Sequence, residues 1–281
     1  MKSITSAANP SYRGWLRLTR SPRAIRESGC TLAEGTHLVQ CALDTYQNAE
    51  ALLVRRGRHA REAQQLIDAC AARGIASFEL AATLYDRLAP VEHGIGIALV
   101  IDVPQAVAPA ASAGDVVYLD GIQDPGNAGA LVRVAAAAGI GHVLAAPSTV
   151  ALWSPKVLRG GQGAHFRVAI IEGVDPATLR QRHPGTWIAA NAHEAPSLWS
   201  VALPHGPVGW IFGAEGHGVS PAALAACDLR VTIPVDAATE SLNVAAAAAV
   251  CLFERRRRML NEVASQDRVR APESLCGLKS G

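Results

Sequence analysis

The second half of the chain alternates short apolar runs with turns rich in glycine, asparagine and serine, and this rhythm predicts an α/β fold. Residues 116–119 (VVYL) are apolar without alternation, the pattern of a strand buried on both faces. A helix is predicted over 128–138, with Asn127 placed to cap its start and Gly139 to close it. Residues 208–212 (VGWIF) repeat the buried-strand pattern and enter a turn bearing Gly213, Gly216 and Gly218. A third strand over 229–234 leads through 236–240 to a helix opened by Ser241, Leu242 and Asn243. The alanine run 245–249 is expected to be a closely packed face of that helix. Strand, helix, strand, helix in this order implies a largely parallel sheet.

A smaller mixed unit precedes this region. Residues 35–43 read as helical and 51–55 as a strand. A helix over 60–72 places Ala63, Leu66, Ile67 and Cys70 on one face, and 94–101 forms a final strand. The intervening DVPQAVAPAASAG, residues 102–114, is rich in proline and alanine and reads as a linker. The expected organisation is a first domain over 1–105, a linker over 106–114, a second domain over 115–260, and a polar tail over 261–281 that frays.

Open parallel sheets bind ligands outside the carboxyl ends of their strands. The three strand ends, each followed by Asn, Glu, Ser or Gly, are therefore expected to meet in one crevice. Competing phosphate-binding signatures are missing: no GxGxxG follows a strand, and no GxxxxGK[ST] occurs. The glycine-rich stretch 160–163 follows Arg159 in a helix-like segment and reads as a helix stop.

Composition narrows the class. At 49% hydrophobic and 18% charged residues over 281 positions, the chain can bury a sizeable core. The six cysteines form no CxxC pair, and Cys70 and Cys251 lie in apolar helix-like runs, which predicts free thiols. No His-x-x-x-His or Cys/His cluster suggests zinc, so no metal is expected. Without a signal-peptide core or a long apolar span, a cytoplasmic protein with no membrane partner is expected. The net charge of +2 is nearly neutral, yet Lys2, Arg13, Arg17, Arg20, Arg23 and Arg26 all precede the first acidic residue, Glu27. Arg55, Arg56, Arg58 and Arg61 form a second cluster. Such clusters suit a phosphate backbone, and equally suit solvated charged faces.

The strand-end segments also carry a resemblance. Asp124-Pro125-Gly126-Asn127-Ala128-Gly129-Ala130 with Arg133, then Gly213-Ala214-Glu215-Gly216-His217-Gly218, then Ile233-Pro234 followed by Glu240-Ser241-Leu242-Asn243-Val244-Ala245, resemble the three motifs of the SpoU (TrmH-type) RNA ribose 2′-O-methyltransferases. The stretch from Ser154 to Arg159 and on through Gly163-Ala164-His165-Phe166 fits the same family. Many members have Asn where Ala214 stands. The likeness covers about 115–260 and implies a C-terminal trefoil-knotted domain, S-adenosyl-L-methionine (SAM) as cofactor, and a homodimer with the crevice at the subunit interface. It implies Gly213, Gly218, Ile233 and Leu242 as cofactor contacts. Arg133, Asn127, Glu215, Ser241 and Asn243 become the catalytic candidates.

By the same likeness, the N-terminal unit is an RNA-recognition domain resembling a ribosomal-protein fold. Ribosomal RNA is the implied substrate, with transfer RNA as the alternative, and a non-catalytic RNA-binding protein of the same fold is the contrasting reading. Two roles stand open for Arg133, because a guanidinium hardly deprotonates in proteins: a base in an unusual site, or a cation that holds phosphate and stabilises a developing alkoxide. Asn127 and Ser241 can each be a helix cap or a site group, and Glu215 can shape its loop or orient Arg133.

Overall fold

The computed structural model describes residues 1–45, 48–89, 95–107, 114–190, 195–236, 238–239 and 241–270, with the backbone alone for 262–270. The first half comprises β1 (Lys2–Ile4), α1 (Pro10–Leu18), α2 (Pro22–Ser28), β2 (Cys30–Glu34), α3 (Thr36–Thr45), β3 (Ala49–Arg55), α4 (Arg61–Ala72), β4 (Ala76–Leu80), α5 (Ala82–Leu88) and β5 (Ile97–Asp102). The second comprises β6 (Val116–Asp120), α6 (Pro125–Ala138), β7 (His142–Ala145), α7 (Pro155–Gly161), β8 (Ala169–Ile171), α8 (Leu179–Arg182), β9 (Thr186–Ala190), β10 (Val208–Gly213), α9 (Pro221–Ala225), β11 (Leu229–Val231) and α10 (Val244–Arg270).

Each half carries its own sheet. The first has the order β1-β4-β3-β5-β2, with β1, β4 and β3 parallel and the β3–β5 and β5–β2 pairs antiparallel. The second has the order β11-β9-β10-β6-β7-β8, and all its pairings are parallel, as the strand–helix alternation predicts. Both faces of β6 are covered: Val117 and Leu119 join the larger apolar cluster, Val116 and Tyr118 the smaller one. That double burial is why the strand reads as a continuous apolar run.

Several boundaries differ from the sequence expectation. Helix α6 begins at Pro125, and Asp124 caps it by accepting from the Asn127 amide at 2.7 Å, so Asn127 is not the cap. Proline at the first helical position suits this register, since its missing N–H would be unpaired there anyway. Gly139 closes the helix at φ +85° as expected. Strand β11 ends at Val231, short of Pro234, which has no N–H to give a ladder. Asn243 rather than Ser241 caps α10, accepting from the Ala245 and Ala246 amides at 3.0 and 3.3 Å. Within the alanine run, Ala245 and Ala248 are buried, whereas Ala246 is exposed. The helix continues past residue 260 to Arg270, where fraying was expected. Gly94, Glu240, Cys276 and linker positions 108–113 lie outside the described residues.

The halves are in contact through α7. Thr31 Oγ1 donates to the Trp153 carbonyl at 2.6 Å, Arg159 pairs with Glu34 at 2.6 Å, and His37 Nε2 lies 3.2 Å from the Gln162 carbonyl. The larger apolar cluster includes Leu32, Leu38 and Val39 of the first half and Trp153, Val157 and Leu131 of the second. On its other side α7 meets α6 backbone to backbone. A Cβ on Gly129 would lie 2.6 Å from the Val157 carbonyl oxygen and 2.7 Å from Gly160, so only glycine permits this approach.

At the opposite end of the second sheet, Arg255 of α10 is buried beside Asp115, with Nε 3.0 Å from Oδ2. It also donates to the carbonyls of Pro204 and Gly206, while Asp115 accepts from the Val208 amide at 2.9 Å.

His165 gives the fold a pH dependence. The ring is 1% exposed, with Nε2 3.0 Å from the Leu152 carbonyl oxygen and Nδ1 without a partner among the described residues. Burial lowers its pKa to about 4, although the Leu152 carbonyl works in the other direction. The unfolded chain takes up this proton first, near about pH 6.5, so stability falls as pH drops from there to the folded value. Urea midpoints are expected to fall across that window, by at most about 1.4 kcal/mol per pH unit from this group. His165→Gln, which keeps an N–H donor but cannot ionise, should flatten that part of the curve.

Candidate active site

The crevice forms where β10 and β11 end. It has a volume of about 340 Å³, with Phe212, Val231, Val244 and Ala247 supplying apolar wall. Over it fold the turn from Gly213 to Gly218, the segment around Ile233 and Val235, and Ser241 with Leu242. The size and the mixture of apolar wall with exposed main chain suit a small organic ligand. Gly213, Gly218, Ile233 and Leu242, the positions singled out for the cofactor, all line it, as do Glu215, His217 and Ser241.

The glycine turn closes on itself. Gly218 donates its amide to the Ala214 carbonyl at 2.8 Å, with Gly216 and Gly218 at φ +85° and +67°. A Cβ on Gly213 would collide with the Gly218 carbonyl and the Val219 amide nitrogen. The glycine therefore serves first to let the turn fold back over the strand end. Asp120, buried at the end of β6, holds the turn's exit by accepting from the Ser220 amide at 2.6 Å. Sequence reading passed over Asp120 because its partner lies a hundred positions away.

Asn243 brings the three motif segments together. Its Nδ2 donates to Asn127 Oδ1 at 2.9 Å and to Glu215 Oε1 at 2.8 Å. Its Oδ1 faces the first α10 amides, which fixes the amide's orientation by its hydrogen bonds. Glu215 is thus engaged by Asn243, and no bond joins it to Arg133. Arg133 is exposed on α6 and is not among the residues lining the crevice. Six residues at about 100° each place it well round the helix from Asn127, on a different face.

Away from the crevice, Cys30, Glu50 and Asp102 bring ligand-type atoms within 4.8 Å of one another, a grouping invisible in the sequence spacing. Burial first, and then the two carboxylates, push the Cys30 thiol up to about 12, so it remains a neutral thiol. Its Sγ lies 3.7 Å from Asp102 Oδ1.

A mostly parallel sheet with a glycine turn, an Asn–Glu–Asn cluster and an apolar crevice at its carboxyl edge accords with what comparison with known proteins shows. Residues 115–253 match the SpoU rRNA Methylase family, and the chain belongs to that family. It is 31% identical over 265 residues to 23S rRNA (guanosine(2553)-2′-O)-methyltransferase RlmP of Bacillus subtilis, covering 91% of this chain and 100% of that one. A crystal structure described as an RNA 2′-O ribose methyltransferase is 28% identical, with TM-score 0.75 over 92% of this chain and 99% of the other. The fold is shared with an AdoMet-bound rRNA methyltransferase from Sinorhizobium meliloti, 24% identical, with TM-score 0.79 over 92% and 98% of the two chains.

Proposed function

We propose that the protein transfers a methyl group from SAM to a ribose 2′-oxygen of ribosomal RNA. The observation that carries this reading is the junction at Asn243, which joins Asn127 of the first motif segment to Glu215, a residue of the crevice wall, although Asn127 and Asn243 themselves stand outside the lining. Similarity to RlmP over its whole length favours ribosomal over transfer RNA.

The residues fit SAM. Leu242, Ile233 and Val235 offer apolar surface to an adenine, and the Gly213–Gly218 turn offers main-chain groups to polar edges. When bound, the cofactor supplies an activated methyl on a sulfonium, so the chain needs only to align the nucleophile and manage its proton. Asn127, Glu215 and Asn243 hold the crevice's edge in one geometry, and Ser241 beside them presents a hydroxyl to cofactor or RNA. Arg133 acts as the cation that binds the adjacent phosphate and stabilises the oxygen as it passes its proton to solvent water.

Arg133 has no partner among the described residues of its own chain, and Phe253, Met259 and Leu260 are exposed on α10. Both features support a homodimer in which Arg133 of one subunit completes the crevice of the other. We further propose that the second domain carries the trefoil knot of its family and that the first half recognises RNA. There Arg13, Arg20, Arg58 and Arg61 are exposed and unpaired among the described residues, while Arg17 and Arg23 pair with Glu27. Among the described residues, no helix is long and apolar enough to cross a membrane.

Mapping 2′-O-methylated riboses in total RNA with and without the gene tests the function. A ribosomal position that loses its methyl group names the target; an unchanged ribosomal map with a transfer-RNA position lost moves the substrate to transfer RNA. Gly213→Val tests the crevice. A side chain there must displace the turn at Gly218 and Val219, so SAM affinity by calorimetry should fall about tenfold or more, equivalent to about 1.4 kcal/mol. The circular-dichroism spectrum should stay that of a folded protein. Unchanged affinity would remove the turn from the cofactor site.

A further inference from the structure

Helix α7 stands between the two functions proposed above. One side receives the first half: Thr31 donates to the Trp153 carbonyl just before the helix, Glu34 pairs with Arg159 within it, and His37 meets the Gln162 carbonyl at its end. A Cβ on Gly163 would come within 2.7 Å of Cys41 Sγ, so α3 is pressed against the helix exit. Gln162 is the one non-glycine described residue with positive φ, at +47°. A left-handed glutamine is held there only because its surroundings fix it. The other side of α7 packs through Gly160 against Gly129 of α6, four residues before Arg133.

The Glu34–Arg159 pair contributes more to orientation than to stability. The Glu34 side chain is 8% exposed and that of Arg159 40% exposed. Burial raises the Glu34 carboxyl more than the neighbouring guanidinium lowers it. The desolvation of such a pair offsets much of its attraction, while its short, directional contact still selects one arrangement of the groups that carry it. Tyr85 lies buried nearby, its hydroxyl without a hydrogen-bond partner among the described residues.

We infer that Glu34 and Arg159 form a register clamp that fixes the RNA-recognising half at one distance and angle from the catalytic helix α6, and thereby determines which ribose reaches the crevice. They are positioning residues: neither lines the crevice, and both act through α7. The inference rests on the reading of the protein as a ribosomal-RNA methyltransferase. Coupling of this kind is carried by packed elements with defined contacts, here the chain β2–α7–α6.

The test uses the full-length protein and unmodified large-subunit ribosomal RNA made by transcription, with labelled SAM. Arg159→Met should raise KM for the transcript about tenfold, the equivalent of about 1.4 kcal/mol. The kcat at saturating RNA and the SAM affinity should stay within about twofold, a loss of under about 0.5 kcal/mol. Methylation should also spread to riboses flanking the wild-type position. Glu34→Gln should act alike, and Glu34→Arg combined with Arg159→Glu should recover part of the KM and of the selectivity. If Arg159→Met fails to fold, Glu34→Gln alone carries the same readout, because it removes the charge of the pair and keeps the size of the side chain. An unchanged KM and unchanged methylation site overturn the clamp, as does a fall in kcat with KM held. A wild-type protein that methylates no ribosomal transcript instead overturns the functional reading on which the clamp rests.

Discussion

Arg133→Ala is expected to reduce methyl transfer by about 10²–10³-fold, the usual cost of removing one group that stabilises charge in the transition state. SAM affinity by calorimetry should stay unchanged, because Arg133 does not line its own chain's crevice, the proposed cofactor site. It is exposed on α6 and has no partner among the described residues, as the proposed phosphate contact requires. Arg133→Lys separates the two roles. Lysine keeps a cation but not the planar fork, so substantial rescue identifies charge stabilisation, and near-complete loss identifies a need for guanidinium geometry. Mixed dimers sharpen the result: Arg133→Ala subunits combined with Gly213→Val subunits should regain activity at one crevice per dimer if the arginine serves its partner. Near-normal turnover of Arg133→Ala would remove the residue from the mechanism.

The largest loss of stability is expected at Arg255. Its guanidinium is buried against Asp115 and the carbonyls of Pro204 and Gly206, at the end of the sheet away from the crevice. Arg255→Met leaves the Asp115 carboxylate without its cation and should lower urea-measured stability by about 3–5 kcal/mol. Asp115→Leu in the same chain should recover part of that loss, because removing both charges removes the unpaired one. If Arg255→Met unfolds at the wild-type urea midpoint, the pair contributes nothing, and α10 is held by its apolar face and by the bonds of Arg256 and Arg258 to carbonyls of Ala138, Val201 and Leu198.

The elements were legible where local pattern and tertiary environment agree. Strand β6 is covered on both faces and therefore reads as an unbroken apolar run, and Gly139 marks the end of α6 because only a left-handed residue closes that turn. The caps were less legible. Asp124 and Asn127 stand three positions apart and either suits the role; Pro125, favoured at the first helical position, was the available signal. Ser241 and Asn243 both stand where α10 opens, and the cap is Asn243, whose Oδ1 accepts from the Ala245 and Ala246 amides while its Nδ2 reaches Asn127, 116 positions away. A crevice at the ends of β10 and β11 was foreseeable, since parallel strands place their ends together, but the segment after β6, expected to meet them there, supplies none of its lining. The tie from Asp120 to Ser220, the contact of Thr31 with Trp153 and the burial of Arg255 were not foreseeable. Each depends on a partner too distant in sequence for any local pattern to reveal.

The bond between Asn243 and Asn127 also orders events during synthesis. The first sheet is complete once β5 has emerged, and β6 to β10 can pair as they follow. Until residue 243 leaves the ribosome, Asn127 and Glu215 lack the amide that joins them. A nascent chain therefore displays its basic N-terminal surface well before it owns a finished crevice. On the proposed reading of that half as the RNA-recognising one, the nascent chain would meet RNA before it could modify it.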